Sequence, residues 1–381
     1  MANKDLYMEL CKYYEFMLGE IEQKEEFIIA LKETVTEEDL RILFLMPFSG
    51  VILHKDLTKK AAKLGIAEEA VKDAAHRMAA KGYVLTYETT NGRAYERGNP
   101  VFMTEQQVRS QEESHARSIF ANFMDSMIDA DSLKTLNKTP YYRVLPVEYT
   151  ITGNIPSNAI PLDAPIPDPR EVLPIDVVTD MVNAQDVVGV AECFCRKART
   201  VVGKACEHPL ETCFVFNEFA EGLIDVGLAR RLTKPEALEI LRQCEEVGLV
   251  HNVDNAEGHL RTLCNCCSCS CVVMKSIQHG SSSSGSSSRY VVSLDDAKCV
   301  DCGECIDICP VECRQIVDGK MVVDITKCLG CGLCVTKCKQ SANYMIPRQK
   351  YAKIYPTHKA LWGQIGKETV VGVIKNKIFG K

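Results

Sequence analysis

Apolar residues recur at helical spacing through the first third of the chain. The pattern predicts three helices, the last two of which end at glycines. Their predicted ranges are 36–46, 56–65 and 67–82. In the next segment, 83–98, apolar and polar residues alternate around Asn91 and Gly92, a dipeptide that favours a two-residue hairpin turn. The predicted order is therefore a helix, a helix-turn-helix and a β-hairpin.

This order, over residues 35–105, resembles the winged helix-turn-helix family. The resemblance raises the question of DNA binding through the helix around 68–81. That helix is electrically balanced, with the charged residues Glu68, Glu69, Asp73, Lys72, Arg77 and Lys81. Because a DNA-reading helix depends on basic contacts to phosphate, we favour a packing or docking module and disfavour nucleic acid as a partner.

Further along the chain, predicted helices alternate with strands and irregular segments. Helices are predicted over 112–136, 174–185 and 233–248, and strands over 187–196 and 249–253. The helix over 233–248 has clear bounds, since Thr233 can cap it and Gly248 can end it. Prolines crowd 139–174, which indicates an extended packed segment or a linker, and 278–290 has the composition of a flexible linker.

The composition sets the chemical context. Apolar residues make up 46% of the chain, charged residues 25%, and the net charge is -6, which gives no sign of a nucleic-acid binder. No membrane span and no signal peptide are predicted, so the expected location is cytoplasmic. Of the 20 cysteines only Cys11 precedes position 190. Such clustering in a reducing compartment indicates metal binding or redox chemistry rather than a disulfide framework.

Two cysteine runs carry the strongest signal. Residues 299–310 and 328–338 both read C-x2-C-x2-C-x3-C, and the copies are 29 residues apart. Thiolates at this spacing suit a [4Fe–4S] cluster, and the fourth cysteine of each run ligates the other cluster. The first predicted ligand set is Cys299, Cys302, Cys305 and Cys338, and the second is Cys328, Cys331, Cys334 and Cys309. Over residues 290–347 the chain resembles the bacterial dicluster ferredoxin family, which implies an electron-transfer module.

The module departs from the family pattern at two positions. Lys339 stands where a proline usually follows the second run, and its charge is expected to alter local geometry or raise the second cluster's potential. Cys313 adds a ninth thiol, interpreted as a small buried residue rather than a ligand. Two zinc sites are the alternative, but zinc ligands usually come as separated pairs.

A second group of cysteines lies in the centre of the chain. Its nine candidate metal ligands are Cys193, Cys195, Cys206, Cys213, Cys264, Cys266, Cys267, Cys269 and Cys271. Alternate cysteines of an extended stretch share a face, so Cys193 with Cys195 are expected to point together, as are the alternate cysteines of 267–271 if that run is extended. One or more additional iron–sulfur clusters are predicted there, with a structural zinc site or a reactive dithiol as alternatives.

Two further central residues are interpreted as structural. Cys244 lies within the predicted helix over 233–248, and His208 is taken as a satisfied turn histidine rather than a ligand. The paired cysteine bands, over residues 170–345, look like those of uncharacterised iron–sulfur proteins of anaerobic bacteria and archaea.

The predicted fold class is α+β and multidomain: a winged helix, a cysteine-rich α/β central domain and a ferredoxin-like module for two [4Fe–4S] clusters. The predicted segments are a helical and winged-helix-like region at 1–110, a helix and Pro-rich connection at 111–169, the central domain at 170–277, a linker at 278–290, the ferredoxin domain at 291–347 and a basic tail at 348–381.

These signals predict an electron-transfer protein of an anaerobe that relays low-potential electrons to or from a larger oxidoreductase or another redox partner. No catalytic acid or base is predicted, and no nucleotide motif is present. Two alternatives stay open: a redox-sensing winged-helix transcription regulator, and a reductive activator of a corrinoid or other metalloenzyme. The tail, 348–381, could dock an acidic redox partner or an anionic surface, or form a solvated terminal strand or helix on the ferredoxin module.

Overall fold

The computed structural model describes residues 5–18, 21, 23–48, 50–129, 137–153, 172–279 and 283–379. Within them the protein is mixed α and β. The chain forms two compact units: the first contains Met1–Met127, Gly189–Glu211 and Phe216–Arg231, and the second contains Ile128–Val188, Thr212–Val215 and Leu232–Lys381. Both units draw on the predicted central domain, so the six predicted segments stay a sequence prediction.

Most helices and strands of both units are short. In chain order the helices are α1 Leu6–Leu18, α2 Lys24–Thr34, α3 Glu37–Leu43, α4 His54–Ala62, α5 Glu68–Ala80, α6 Pro100–Arg109, α7 His115–Asp129, α8 Tyr149–Thr152, α9 Val178–Asn183, α10 Phe194–Val201, α11 Asn217–Asp225, α12 Lys234–Glu246, α13 Val272–Gln278, α14 Glu304–Asp307, α15 Leu333–Thr336 and α16 His358–Phe379. The strands are β1 Val51–Leu53, β2 Val84–Thr89, β3 Gly92–Arg97, β4 Tyr142–Val144, β5 Val188–Glu192, β6 Glu211–Phe216, β7 Arg230–Leu232, β8 Val250–Asp254, β9 Thr262–Cys266, β10 Gly285–Ser286, β11 Tyr290–Leu294, β12 Arg314–Val317, β13 Lys320–Val323 and β14 Asn343–Pro347.

The first unit contains the elements predicted for the first third of the chain. Helices α3, α4 and α5 are followed by the β2–β3 hairpin, and β1 joins it in a sheet of order β1-β3-β2. Thr89 pairs with Gly92, so the turn residues are Thr90 and Asn91, one position earlier than predicted. Membership of the winged-helix family stays a prediction.

Both α5 and the hairpin of this unit pack against other elements. Val71 and Met78 of α5 are almost fully buried. Strand β2 lies against α11, where a Cβ at Gly222 would be 3.1 Å from the Thr86 carbonyl oxygen. Phe102 and Phe219 bring α6 and α11 into ring contact at 5.6 Å. These contacts agree with the favoured packing role and leave that role a proposal.

The second unit has a sheet in which the strands run in the order β10, β4, β8, β9 and β6. Strand β10 pairs with β4 in parallel, while the other pairs are antiparallel. The predicted helix over 233–248 is confirmed as α12, because Thr233 accepts from the Glu236 backbone and the Glu236 side chain completes the capping box. The predicted strand over 249–253 is confirmed as β8.

The predicted linker, 278–290, differs from the structure in its described parts, 278–279 and 283–290. Gly285 and Ser286 form β10, and Ser288 is 3% exposed. The Ser288 hydroxyl donates to the Gly330 carbonyl oxygen at 2.7 Å. Serine composition favours a flexible chain in isolation, but here the hydroxyls and backbone have partners. Most of the Pro-rich segment, 154–171, lies outside the described residues.

The C-terminal part of the second unit contains both cysteine runs and the tail. Strands β11 and β14 pair, β12 and β13 form a hairpin, and the short helices α14 and α15 follow the first turns of the two runs. In α16, Leu361 and Ile365 pack on Ala256, and Glu368 accepts from the Thr139 backbone at 2.8 Å. No helix among the described residues is long and apolar enough to cross a membrane.

Candidate metal centres

The second predicted ligand set lines one cavity. All four of its cysteines face that cavity, and they come from both runs: Cys309, Cys328, Cys331 and Cys334. Apolar residues such as Val292, Leu329 and Met345 complete the lining. A [4Fe–4S] cluster requires about four thiolates that converge from separate turns in an apolar setting. The donor set and its surroundings therefore fit the cluster that the spacing predicts.

Electrostatics support this convergence. Burial raises the pKa of Cys334 to about 12, with Arg314 opposing the rise and Cys328 and Cys309 adding to it. Burial likewise raises the pKa of Cys331, and the neighbouring Cys334 raises it further. Thiols that cannot ionise together become thiolates when a metal cation compensates their charge. The set is thus poised to bind a positively charged metal core.

Cys313 contributes a fifth thiol to the same cavity. Its sulfur lies 3.5 Å from the Cys309 sulfur, and hydrogen bonding to Cys313 lowers the pKa of both Cys309 and Cys328. The residue is buried, as predicted, but it contacts two of the predicted ligands instead of only filling space.

The first predicted set lies nearer the surface. Cys302 is exposed, Cys299 is half-buried, and Cys305 is buried. Cys299 and Cys305 are close enough to interact: burial raises the pKa of Cys299, and the charges of Asp301 and then Cys305 raise it further. The Cys338 sulfur accepts from the Ala342 backbone at 3.2 Å. Assembly of all four thiols around one cluster stays a prediction.

Arg314, which the sequence did not single out, connects the two sets. The side chain is buried, with 3% of the residue exposed. One terminal nitrogen lies 3.5 Å from the Cys305 sulfur, and the other lies 3.2 Å from the Cys334 sulfur. The signal in the sequence is an arginine directly after Cys313, at the start of β12, where burial of a charge requires an anionic partner.

The position of Lys339 differs from expectation. Its ammonium nitrogen lies 2.7 Å from a Glu304 carboxylate oxygen, and Cys302 contributes to its raised pKa after Glu304. Both neighbours belong to the first run. The positive charge of Lys339 therefore lies beside the first set, because the second run ends next to α14, the short helix within the first run.

Four of the central cysteines lie next to one another in a sequence of contacts within the second unit. Cys213 on β6 pairs directly with Cys264 on β9, and Cys266 lies two residues further along β9. Cys213 and Cys266 are side-chain neighbours of Cys264, and their hydrogen bonding lowers the pKa of Cys264. Cys266 also has Cys271 as a hydrogen-bond partner, and these contacts raise the pKa of Cys266.

The local backbone at other central cysteines departs from the expected extended form. Strand β5 ends at Glu192, Cys193 is the N-cap of α10, and Cys195 is inside that helix. The shared strand face expected for Cys193 and Cys195 is therefore wrong. Likewise β9 ends at Cys266, and 267–271 forms a turn with a bond from the Cys271 N–H to the Cys267 carbonyl oxygen.

Two further pairs of metal-ligand atoms lie close together. In the first unit, the ligand atoms of Cys206 and His208 lie within 4.8 Å of each other. In the second unit, the sulfurs of Cys267 and Cys269 lie within the same distance of each other. Nδ1 of His208 is buried and has no hydrogen-bond partner among the described residues. The prediction that His208 is a fully hydrogen-bonded turn histidine does not agree with this unpartnered nitrogen. A ligand role for His208 therefore gains support.

Comparison with curated proteins finds ferredoxins. Ferredoxin-2 of Desulfomicrobium norvegicum is 52% identical over 33 residues, which are 9% of this chain and 56% of that protein. Ferredoxin-3 of Desulfocurvibacter africanus is 48% identical over 33 residues, 9% of this chain and 54% of that protein. The chain thus matches little more than half the length of these relatives. The likeness supports a ferredoxin-like, iron–sulfur-binding segment, and no family model or solved structure matches the chain.

Proposed function

We propose that this protein transfers electrons through two [4Fe–4S] clusters, bound by Cys299, Cys302, Cys305 and Cys338 and by Cys309, Cys328, Cys331 and Cys334. The single observation that carries the proposal is the cavity lined by the whole second set, to which both cysteine runs contribute. The ferredoxin likeness supports the same assignment. When bound, such clusters supply reversible one-electron chemistry.

Several contacts of the chain's own residues favour this role. Arg314 places positive charge against one sulfur of each set, which favours the reduced, more negative state of a bound cluster. The exposed Cys302 offers a point at which a partner can approach. Residues Leu329 and Leu333 bury the second run and exclude water from it.

The proposed partner is a redox protein or a larger oxidoreductase of an anaerobe. The central cysteines supply enough thiols for at least one more centre, which makes the protein a relay rather than a single-module carrier. A reductive activator of a metalloenzyme would use the same cysteines and differ only in the protein that accepts the electrons.

Iron and acid-labile sulfide per chain, measured on protein purified without oxygen, test the proposal. We expect at least about eight irons, with EPR signals of reduced [4Fe–4S] clusters. About twelve or more would place a further cluster among the central cysteines. Fewer than about four irons, or zinc in their place, would overturn the assignment.

DNA binding is the competing role for the first unit. The lack of excess positive charge on α5 and the packing of β2 against α11 both favour a docking role instead. A gel-shift assay with genomic fragments checks this: the docking role predicts no fragment-specific shift, and specific retardation would promote the regulator.

A further inference from the structure

We infer that Cys213, Cys264, Cys266 and Cys271 together bind one iron centre, and that the second ferredoxin-like cluster is its electron partner. The second half of this inference rests on the proposed function. The four residues are a subset of the nine central candidates, and backbone position and surroundings distinguish them from the other five.

Backbone geometry brings three of the thiols to one face of the sheet. Cys213 and Cys264 are direct partners in the antiparallel β6–β9 pair. Side chains of directly opposed residues share a face, and residues two apart on a strand share it as well. Cys266, two positions after Cys264 on β9, therefore joins the same face.

The fourth thiol comes from the next element. After β9 the chain turns through 267–271, and Cys271 becomes the N-cap of α13. Its thiol is a hydrogen-bond partner of Cys266, which also bonds to Cys264. The contacts thus run through all four sulfurs from β6 to α13, which is the number that a thiolate-bound iron or zinc site uses.

Burial argues that these thiols bind something. Cys213, Cys266 and Cys271 are each 5% exposed. A structural cysteine is usually a single small apolar residue, whereas four neighbouring sulfurs gain little from packing that alanine or valine would not supply. Binding of a metal cation, which replaces the thiol protons, explains why four cysteines lie together here.

The surroundings indicate a redox centre. Cys266 and Cys271 belong to one apolar cluster with Leu329 and Leu333, and Cys331 packs against that cluster. Leu329 and Leu333 flank Cys331, a predicted ligand of the second set. The central sulfurs and the second cysteine run are therefore covered by the same side chains.

Backbone contacts fix the second run at this position. The Val147 N–H donates to the Cys331 carbonyl oxygen at 2.9 Å. A Cβ at Gly332 would be 2.7 Å from the Thr150 hydroxyl oxygen, so glycine permits the close approach. One electron would pass between the reduced second cluster and the oxidised iron centre, or in reverse, and no bond would form or break.

The test compares the full-length Cys271→Ser variant with wild type. Serine is a favourable N-cap, so α13 should keep its start while the site loses one thiolate. We expect the variant to lose the iron that wild type holds above the eight of the ferredoxin-like module, and to keep the EPR signals of that module. Cys244→Ser removes a buried thiol of α12 outside the four and should keep the full iron content.

Electron partnership has its own readout. We expect the signal of the reduced second cluster to saturate at lower microwave power in Cys271→Ser than in wild type, because a nearby paramagnetic centre has been removed. Unchanged saturation would contradict the partnership.

Three results would overturn the metal site. Wild type with only about eight irons would remove it and leave the proposed function standing, whereas fewer than about four would remove the proposed function itself. Full iron retention in Cys271→Ser would exclude the residue as a ligand, and loss of zinc instead of iron would exclude a redox centre. Should Cys271→Ser misfold, judged by circular dichroism, Cys264→Ser with the same control answers the question.

Discussion

The two cysteine runs have the same spacing and nearly the same backbone, yet they lie in different surroundings. Asp301 and Gly330, 29 positions apart, both have left-handed backbone, with φ of 54° and 70°. The same holds for Glu312 and Ser341, with φ of 51° and 49°. The repeat therefore extends beyond the cysteines to the turns that aim them.

The side chains between the cysteines differ sharply. Val300 is 61% exposed, whereas Leu329 at the equivalent position is 3% exposed. Glu304 is half-buried beside Lys339, and Leu333 at its equivalent position is 1% exposed. One motif thus serves two environments: the first run faces solvent, and the second is packed inside the unit. In the proposed relay, the first set exchanges electrons with an external partner and the second with the central thiols.

Gly330→Ala should have the largest effect on folding and iron content, because it adds a side chain to the packed second run alone. A Cβ there would be 2.0 Å from the Tyr290 carbonyl oxygen and 2.3 Å from the Ser288 hydroxyl oxygen, on a backbone with positive φ. Strain and overpacking of this kind cost several kcal/mol, on the order of 2–5. We expect poor folding or loss of about four irons.

The matched change in the first run is Asp301→Ala. The Asp301 carboxylate accepts from the Met321 N–H at 2.8 Å, and alanine removes this hydrogen bond without adding side-chain volume. Thermal unfolding and iron content should change less than in Gly330→Ala. Equal damage from the two variants would show that loss of the Asp301 carboxylate disturbs the first run as much as an added side chain disturbs the second.

Arg314→Leu should change the reduction potentials of both clusters, since the guanidinium contacts one sulfur of each set. A hydrogen bond to a charged group contributes about 1.5 kcal/mol, equivalent to a potential change on the order of 60 mV for one electron. We expect both potentials to fall, measured by EPR-monitored redox titration. Arg314→Lys keeps the charge and should lower them less, and a shift confined to one cluster would show that Arg314 does not bridge the sets.

Cys313→Ala should affect only the second cluster. The thiol contacts Cys309 and Cys328, and neither belongs to the first set. Iron content should stay at the wild-type value, while the second potential falls by less than in Arg314→Leu, because a thiol is a weak donor. Loss of iron would make Cys313 a ligand.

Lys339→Gln should have the smallest effect, confined to the first cluster. The ammonium group is exposed and paired with Glu304, so solvent and salt screen its charge. We expect a shift of the first potential that disappears at high salt in the same titration. A shift of the second potential instead would restore the sequence-based expectation for this lysine.

The sequence predicts features that depend on one short segment better than features that depend on contacts between distant segments. The turns of each cysteine run depend on residues within the run, so the spacing predicts both ligand sets, and Thr233 with Gly248 identifies α12. Cys193 is predicted on a strand because β5 leads into it, but α10 begins there instead. Arg314, β10 and the contact of Cys213 with Cys264 depend on partners far along the chain, which no local pattern contains.

The proposed relay holds two clusters in different surroundings. EPR of the fully reduced protein is the sharpest test of this arrangement, with the variants Cys302→Ala and Cys331→Ala compared with wild type. The proposed relay predicts two magnetically interacting clusters in wild type, and in each variant the loss of the cluster bound by its own set. It further predicts that deuterium from heavy water couples strongly to the cluster left in Cys331→Ala and weakly to the one left in Cys302→Ala. Equal deuterium coupling in the two variants, or an unaltered wild-type spectrum in either, would contradict it.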